Sequence, residues 1–249
     1  MEYTIYVYWK EGLIAEEKDA AIRGVSNFVS ILRNTRGTGM PDDNIRLCGV
    51  SAELESFVQG LPKIGGFTDA GKICEHLGSM LPEYAIGVYL TDEPIRNVDG
   101  YIVGLTRGGH ITVSTYHFRN LSRFQRLSSI ELCTMHELGH AHGMAGMSGR
   151  VNSVYSGGNH CADATCLMHQ PNGNFAPIIQ KHHDRWFCLL CLEDARLTKW
   201  RRDCFARERE GMRLSRPATP PRLRSLPPRL SQPSKLPPPL PPRAPRSNQ

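Results

Sequence analysis

The chain has 249 residues and a formal charge of +6, long enough to bury one substantial core. That charge is unevenly placed. Residues 212–249 hold eight Lys or Arg, no acid and 12 of the 18 prolines, which leaves residues 1–211 at −2. The balance argues against a basic, nucleic-acid-binding body. Eight cysteines in a chain of this length do not make a small disulfide scaffold, and thiols or metal ligands are the expectation. The opening MEYTIYVYWKEG has no basic n-region or cleavage site, and no window reaches 18 uninterrupted apolar residues. An intracellular, cytoplasmic protein with no membrane partner is therefore expected.

In chain order, Tyr3–Trp9 is rich in β-formers and reads as a first strand. Ile22, Val25, Phe28, Val29 and Leu32 then recur at helical spacing, and RGTG stops that helix near Gly37. Asn44–Val50 is a second strand, Ala52–Gln59 and Ala70–Leu81 are helical, and Ala85–Thr91 is a third strand. YIVGL and HITVSTYHF flank TRGG, a hairpin signal with Gly at the turn. The order predicts an α+β fold: a mixed sheet of four or five strands backed by helices, followed by a mostly helical and irregular remainder. Phe187–Arg207 reads as a C-terminal helix with Leu189, Leu192, Ala195, Trp200 and Cys204 on one side. The domain is expected to end near residue 211. Residues 212–249 have no apolar periodicity and are expected to be a disordered tail of polyproline II character.

Ser128 and Glu131 stand as S-x-x-E ahead of IELCTMHELGHAHG and predict a capped helix start. Such a helix sets His136 and His140 one turn apart on one face, as two ligands of a single metal must be. Glu137 lies beside them, where a carboxylate takes a proton from metal-activated water. Gly143, three residues past the second histidine, suits a left-handed helix end that turns the chain back. Downstream, Cys161 and Cys166 are followed by Cys188 and Cys191. Two cysteine pairs at this separation are a four-cysteine zinc pattern, and a Cys-x-x-Cys at a helix start favours thiolate.

The combination HELGHxxG, then HC-x4-C-x-M, then CxxC resembles the archaemetzincins, metzincin-like metalloproteases whose motif carries a catalytic and a structural zinc. The motif resemblance covers residues 136–197. It implies a metzincin-like sheet with the active-site helix below the edge strand and a C-terminal zinc-bound subdomain. Carried over by position, His136, His140 and His160 are the catalytic zinc ligands, and Glu137 is the general base. Cys161, Cys166, Cys188 and Cys191 hold the second zinc, and Met168 is the apolar floor beneath the first. The strand Ile111-Thr112-Val113-Ser114 takes the role of the edge that aligns an extended peptide. The chain departs from the family pattern mainly in an insertion: 16 residues separate Gly143 from His160, where the pattern has two. The spacing from Met168 to Cys188 is also slightly longer than the family's, a difference that a loop absorbs. His142 and His169 are the rivals of His160, and His182 and His183 read as a solvated pair. Tyr155, inside the insertion, is a weaker candidate for the oxyanion site.

The resemblance thus implies a zinc metallopeptidase with two zincs per chain and a peptide or protein substrate. Two other readings compete. One is a nucleic-acid-associated zinc protein of Spartan type that uses the basic tail, although no specific nucleic acid is expected from a body at −2. The other is a zinc scaffold without proteolysis. In the tail, Pro238-Pro239-Leu240-Pro241-Pro242-Arg243 has the PxxPxR form read by SH3 grooves, and its cations suit polyanions.

Overall fold

The computed structural model describes residues 4–35, 44–145, 160–169 and 186–198. Its main sheet is built from β1 (Thr4–Trp9), β2 (Asn44–Gly49), β4 (Ala85–Thr91), β7 (Gly104–Arg107) and β8 (His110–Ser114), in the order β2-β1-β4-β8-β7. The first four strands in that order run parallel, and β7 is antiparallel to β8 at the end of the sheet. A smaller sheet of β3 (Thr68–Asp69), β5 (Ile95–Asn97) and β6 (Gly100–Ile102) was not foreseen from the sequence. The predicted strand YIVGL breaks at Val103, with Gly100–Ile102 in the small sheet and Gly104–Arg107 in the main one. The TRGG turn forms as expected: Gly108 and Gly109 both take left-handed φ, +61° and +84°, as a two-residue hairpin requires.

Parallel strands need helical crossovers, and these cover both faces of the sheet. Helices α1 (Ala15–Asn34) and α4 (Arg123–Ala141) lie on one face, while α2 (Ala52–Gly60) and α3 (Ala70–Met80) lie on the other. The two-residue period of the strands divides the core accordingly. Ile5, Val7, Ile86, Val88, Leu90, Ile111 and Val113 meet α1 and α4, whereas Tyr89 turns to Leu54, Val58, Ile73 and Leu77. Among the described residues, no helix is long and apolar enough to cross a membrane.

Helix α4 starts six residues earlier than Ser128 predicts. Its N-cap is Ser122, whose hydroxyl accepts from the Gln125 N–H. Ser128 lies inside the helix, and Glu131 instead pairs with Arg23 and Asn27 of α1. The two helices cross at Gly24. A Cβ there would come 2.6 Å from the Glu131 carbonyl oxygen and 3.0 Å from Thr134 Cβ. Gly24→Ala gains up to ~1 kcal/mol of helix propensity but wedges a methyl against backbone that has no room to retreat. The expected net result is a destabilisation of about 1–2 kcal/mol in denaturant unfolding. Unchanged or raised stability would show that the crossing is looser than its geometry.

Candidate metal centre

Each candidate ligand reaches the site for a local reason. His136 and His140 share a face of α4, and their Nε2 atoms stand 3.0 Å apart. The His160 ring centroid lies 5.4 Å from that of His136 and 5.1 Å from that of His140. One ligand nitrogen from each of the three falls within 4.8 Å of the others. Burial lowers all three pKa values, that of His136 to about 4, so each imidazole stays neutral and keeps a lone pair to donate. The Leu167 carbonyl, which can only accept, lies 2.8 Å from His136 Nδ1. That bond places the proton on Nδ1 and the lone pair on Nε2, facing the other histidines. His160 Nδ1 is buried with no hydrogen-bond partner among the described residues. Such a cost is relieved when that nitrogen itself meets a cation. The donor set therefore fits zinc, which three neutral imidazoles leave one ligand short of a tetrahedral set.

The rival histidines face elsewhere. His142 sits in the core, its Nδ1 2.8 Å from the Leu138 carbonyl and its ring centroid 4.8 Å from that of Phe28. His169 directs Nδ1 at the Cys161 carbonyl, 2.8 Å away. His182, His183, Tyr155, insertion residues 146–159 and the whole tail lie outside the described residues.

Glu137 is buried beside the histidines. Desolvation pushes its carboxyl up to about 7, against the opposing pull of a hydrogen bond from Thr106. The Thr106 hydroxyl lies 2.8 Å from both Glu137 Oε2 and the Glu137 carbonyl oxygen. Gly104 completes the cradle, since a Cβ there would come 2.7 Å from Glu137 Oε1. Sequence reading singled out neither residue, because a lone Thr and Gly in a short strand carry no spacing signal. Both belong to β7, and this corrects the substrate-strand assignment. Ile111, Thr112, Val113 and Ser114 lie in β8, which is wholly buried and paired on both sides, with β4 and with β7. A strand with two partners offers no edge to a peptide. The edge above α4 is β7.

Helix α4 ends as Gly143 predicts. Gly143 takes φ +79°, its N–H donates to the His140 carbonyl at 2.9 Å, and the Met144 N–H donates to the Gly139 carbonyl at 2.9 Å. These two bonds form a Schellman end. Met168 lies against Gly139, so closely that a Cβ on Gly139 would strike its sulfur. The Met168 side chain thus reaches the helix backbone between the two histidines.

Next to this cluster, Cys161, Cys166, Cys188 and Cys191 place all four sulfurs within 4.8 Å of one another. The Cys161–Cys188 and Cys166–Cys191 separations are both 3.7 Å. A disulfide requires about 2.05 Å, whereas sulfurs at about 2.3 Å from a shared zinc stand roughly 3.8 Å apart. The Asp163 N–H donates to Cys161 Sγ and the Cys188 N–H to Cys166 Sγ, each at 3.4 Å, which suits thiolate. The second pair is carried by a helix over 189–198. Its buried residues are Cys191, Asp194 and Ala195, following Phe187, while Leu189 is exposed rather than facing inward as expected. Phe187 packs edge-on against Phe28 at 5.6 Å and joins this segment to α1.

No protein-family model matches the chain, and no curated protein matches it. Solved structures do. An archaemetzincin from Methanopyrus kandleri matches at TM-score 0.55 and 18% identity, over 79% of this chain and 95% of that one. An archaemetzincin from Archaeoglobus fulgidus, complexed with malonate, matches at 0.53 and 13%, over 77% and 99%. A zinc-dependent peptidase from Methanocorpusculum labreanum matches at 0.53 and 16%, also over 77% and 99%. The fold of the chain is that of the archaemetzincin structures.

Proposed function

We propose that the chain is a zinc-dependent metallopeptidase of archaemetzincin type, with His136, His140 and His160 holding the catalytic zinc. Four cysteines, Cys161, Cys166, Cys188 and Cys191, hold a structural one. The observation that carries the reading is the convergence of three neutral imidazoles, His136 buried and His140 and His160 half-buried, beside a buried carboxylate from the same helix turn. When bound by three histidines, zinc supplies a Lewis acid and lowers the pKa of bound water toward ~7.

Glu137 accepts the proton of the attacking water and returns it to the leaving amine. A cation among the histidines favours the ionised carboxylate needed for the first step. The Thr106 hydroxyl holds that carboxylate in position and favours its charged form. The outer edge of β7 offers backbone N–H and C=O groups to an extended peptide and lays it across Glu137. Met168 and the buried apolar side chains around α4 keep competing water away from the histidines.

The test is direct. The zinc-loaded chain, incubated with an unstructured protein, is expected to generate new N-termini by mass spectrometry. Chelation should stop this and added zinc restore it. Zinc bound at the histidines with no new termini would favour the non-catalytic scaffold instead.

Thr106→Val provides a finer check. The hydroxyl lowers the Glu137 pKa, so its loss raises that pKa and less base is ionised at a given acidic pH. The acidic limb of the kcat/KM profile is expected to move to higher pH, with the alkaline limb unchanged. An unmoved acidic limb would mean that Thr106 does not act through Glu137.

A further inference from the structure

The two clusters meet at two junctions in the chain. His160 directly precedes Cys161, so a ligand of each site stands on adjacent Cα atoms, about 3.8 Å apart. Cys166 is followed by Leu167, whose carbonyl takes the His136 Nδ1–H at 2.8 Å, and then by Met168 under Gly139.

The segment between the junctions is tied to itself and to the second cysteine pair. The Cys161 N–H donates to the Met168 carbonyl at 2.9 Å, and the His169 ring donates to the Cys161 carbonyl at 2.8 Å. The Leu167 N–H donates to the Trp186 carbonyl at 2.7 Å, two residues before Cys188. A single peptide segment at Leu167 therefore orients His136 with its carbonyl and is anchored through its N–H to the strand of chain that brings in the other two thiols.

We infer that the four-cysteine site is the positioning device of the three-histidine site, so that filling it sets the metal affinity of the histidines. This rests on the zinc-site reading proposed above. Without a central ion, four thiols at 3.7 Å contacts hold the two cysteine-bearing segments, 160–169 and 186–198, together only weakly. With one, the loop is closed, and the His160 backbone and the Leu167 carbonyl are fixed with it. Loss of such an orienting partner typically costs ~10–100-fold in metal affinity. Coupling between two binding sites is reciprocal, so metal at the histidines must strengthen the cysteine site by the same factor.

Cobalt(II) titration of the metal-free full-length chain reads both sites without reference to activity. Sulfur-to-cobalt charge-transfer absorption is expected to saturate with the first equivalent, and the ligand-field bands of the histidine-bound ion to follow with the second. In Cys188→Ser the histidine-site Kd should rise ~10–100-fold. Cys188→His keeps a fourth ligand and should restore it. In His136→Ala the cysteine site should keep its wild-type affinity, because it fills while the histidines are still empty, and only the second, ligand-field phase should be lost. Ligand-field bands of the histidine-bound ion that grow in before the sulfur band, with the cysteines still empty, would overturn the coupling, even if Cys188→Ser failed to fold. So would an unchanged histidine-site Kd in a folded Cys188→Ser. Two ions bound with independent affinities sink the coupling alone, whereas wild-type protein that takes up only one ion sinks the three-histidine reading itself.

Discussion

Glu137→Gln is expected to lower kcat/KM by ~10²–10⁴-fold, the usual contribution of a positioned acid–base group, while both zincs remain bound. The substitution preserves shape, and Thr106 Oγ1 still has an amide oxygen to meet where it now lies 2.8 Å from the carboxylate. Metal content should not change, because the histidine cluster that converges within 4.8 Å includes His136, His140 and His160 but not Glu137. Steady-state kinetics on an unstructured protein, paired with metal analysis, check both parts. Cleavage that survives would remove Glu137 from the chemistry. Zinc lost from the histidines would make Glu137 a ligand instead of a base.

The second large effect is structural. Cys191→Ser is expected to leave one zinc per chain of two and to lower the melting temperature, with hydrogen exchange accelerated across residues 160–198. A structural zinc site contributes on the order of 10–16 kcal/mol of apparent binding free energy, which appears as folding free energy. At the four cysteines that energy would join segments with a small apolar complement of their own: Cys161, Cys166, Leu167, Met168, Phe187, Cys191 and Ala195. Removing one thiolate also leaves three that repel or must protonate. A variant that keeps both zincs and melts normally would show that the four thiols are a satisfied core cluster and not a metal site.

Much of this arrangement was legible in the sequence, and the reason differs from element to element. The main strands were visible because β-branched and aromatic residues recur in them, and β4 confirms the pattern with Ile86, Val88 and Leu90 on one face and Tyr89 on the other. The small sheet was not visible, since strands of two and three residues have no period to count. The edge of the main sheet was misassigned because HITVS has the stronger strand composition. Its strength reflects burial on both faces between two neighbours, whereas the edge falls to the weaker GLTR. The start of α4 was ambiguous in the same way. Ser122 and Ser128 both fit a cap followed three residues later by Gln or Glu. What decides between them is the pairing of Glu131 with Arg23 and Asn27, a contact across more than 100 residues.

The site divides along similar lines. His136, Glu137 and His140 follow from helical spacing alone. His160 followed only from its place beside Cys161, and the structure brings it to the other two histidines across a 16-residue gap after Gly143. Thr106 and Gly104 escaped notice because they approach Glu137 from a strand 30 residues earlier. The Leu167 carbonyl could not have been read at all, since any residue there would present the same oxygen to His136.

Anomalous diffraction at the zinc edge, from crystals of the zinc-loaded full-length chain, tests the central claim most directly. Two peaks are expected, one bounded by His136, His140 and His160 and one inside the four sulfurs of Cys161, Cys166, Cys188 and Cys191. A single peak at the cysteines, or a second zinc held by His142 or His169 in place of His160, would contradict it.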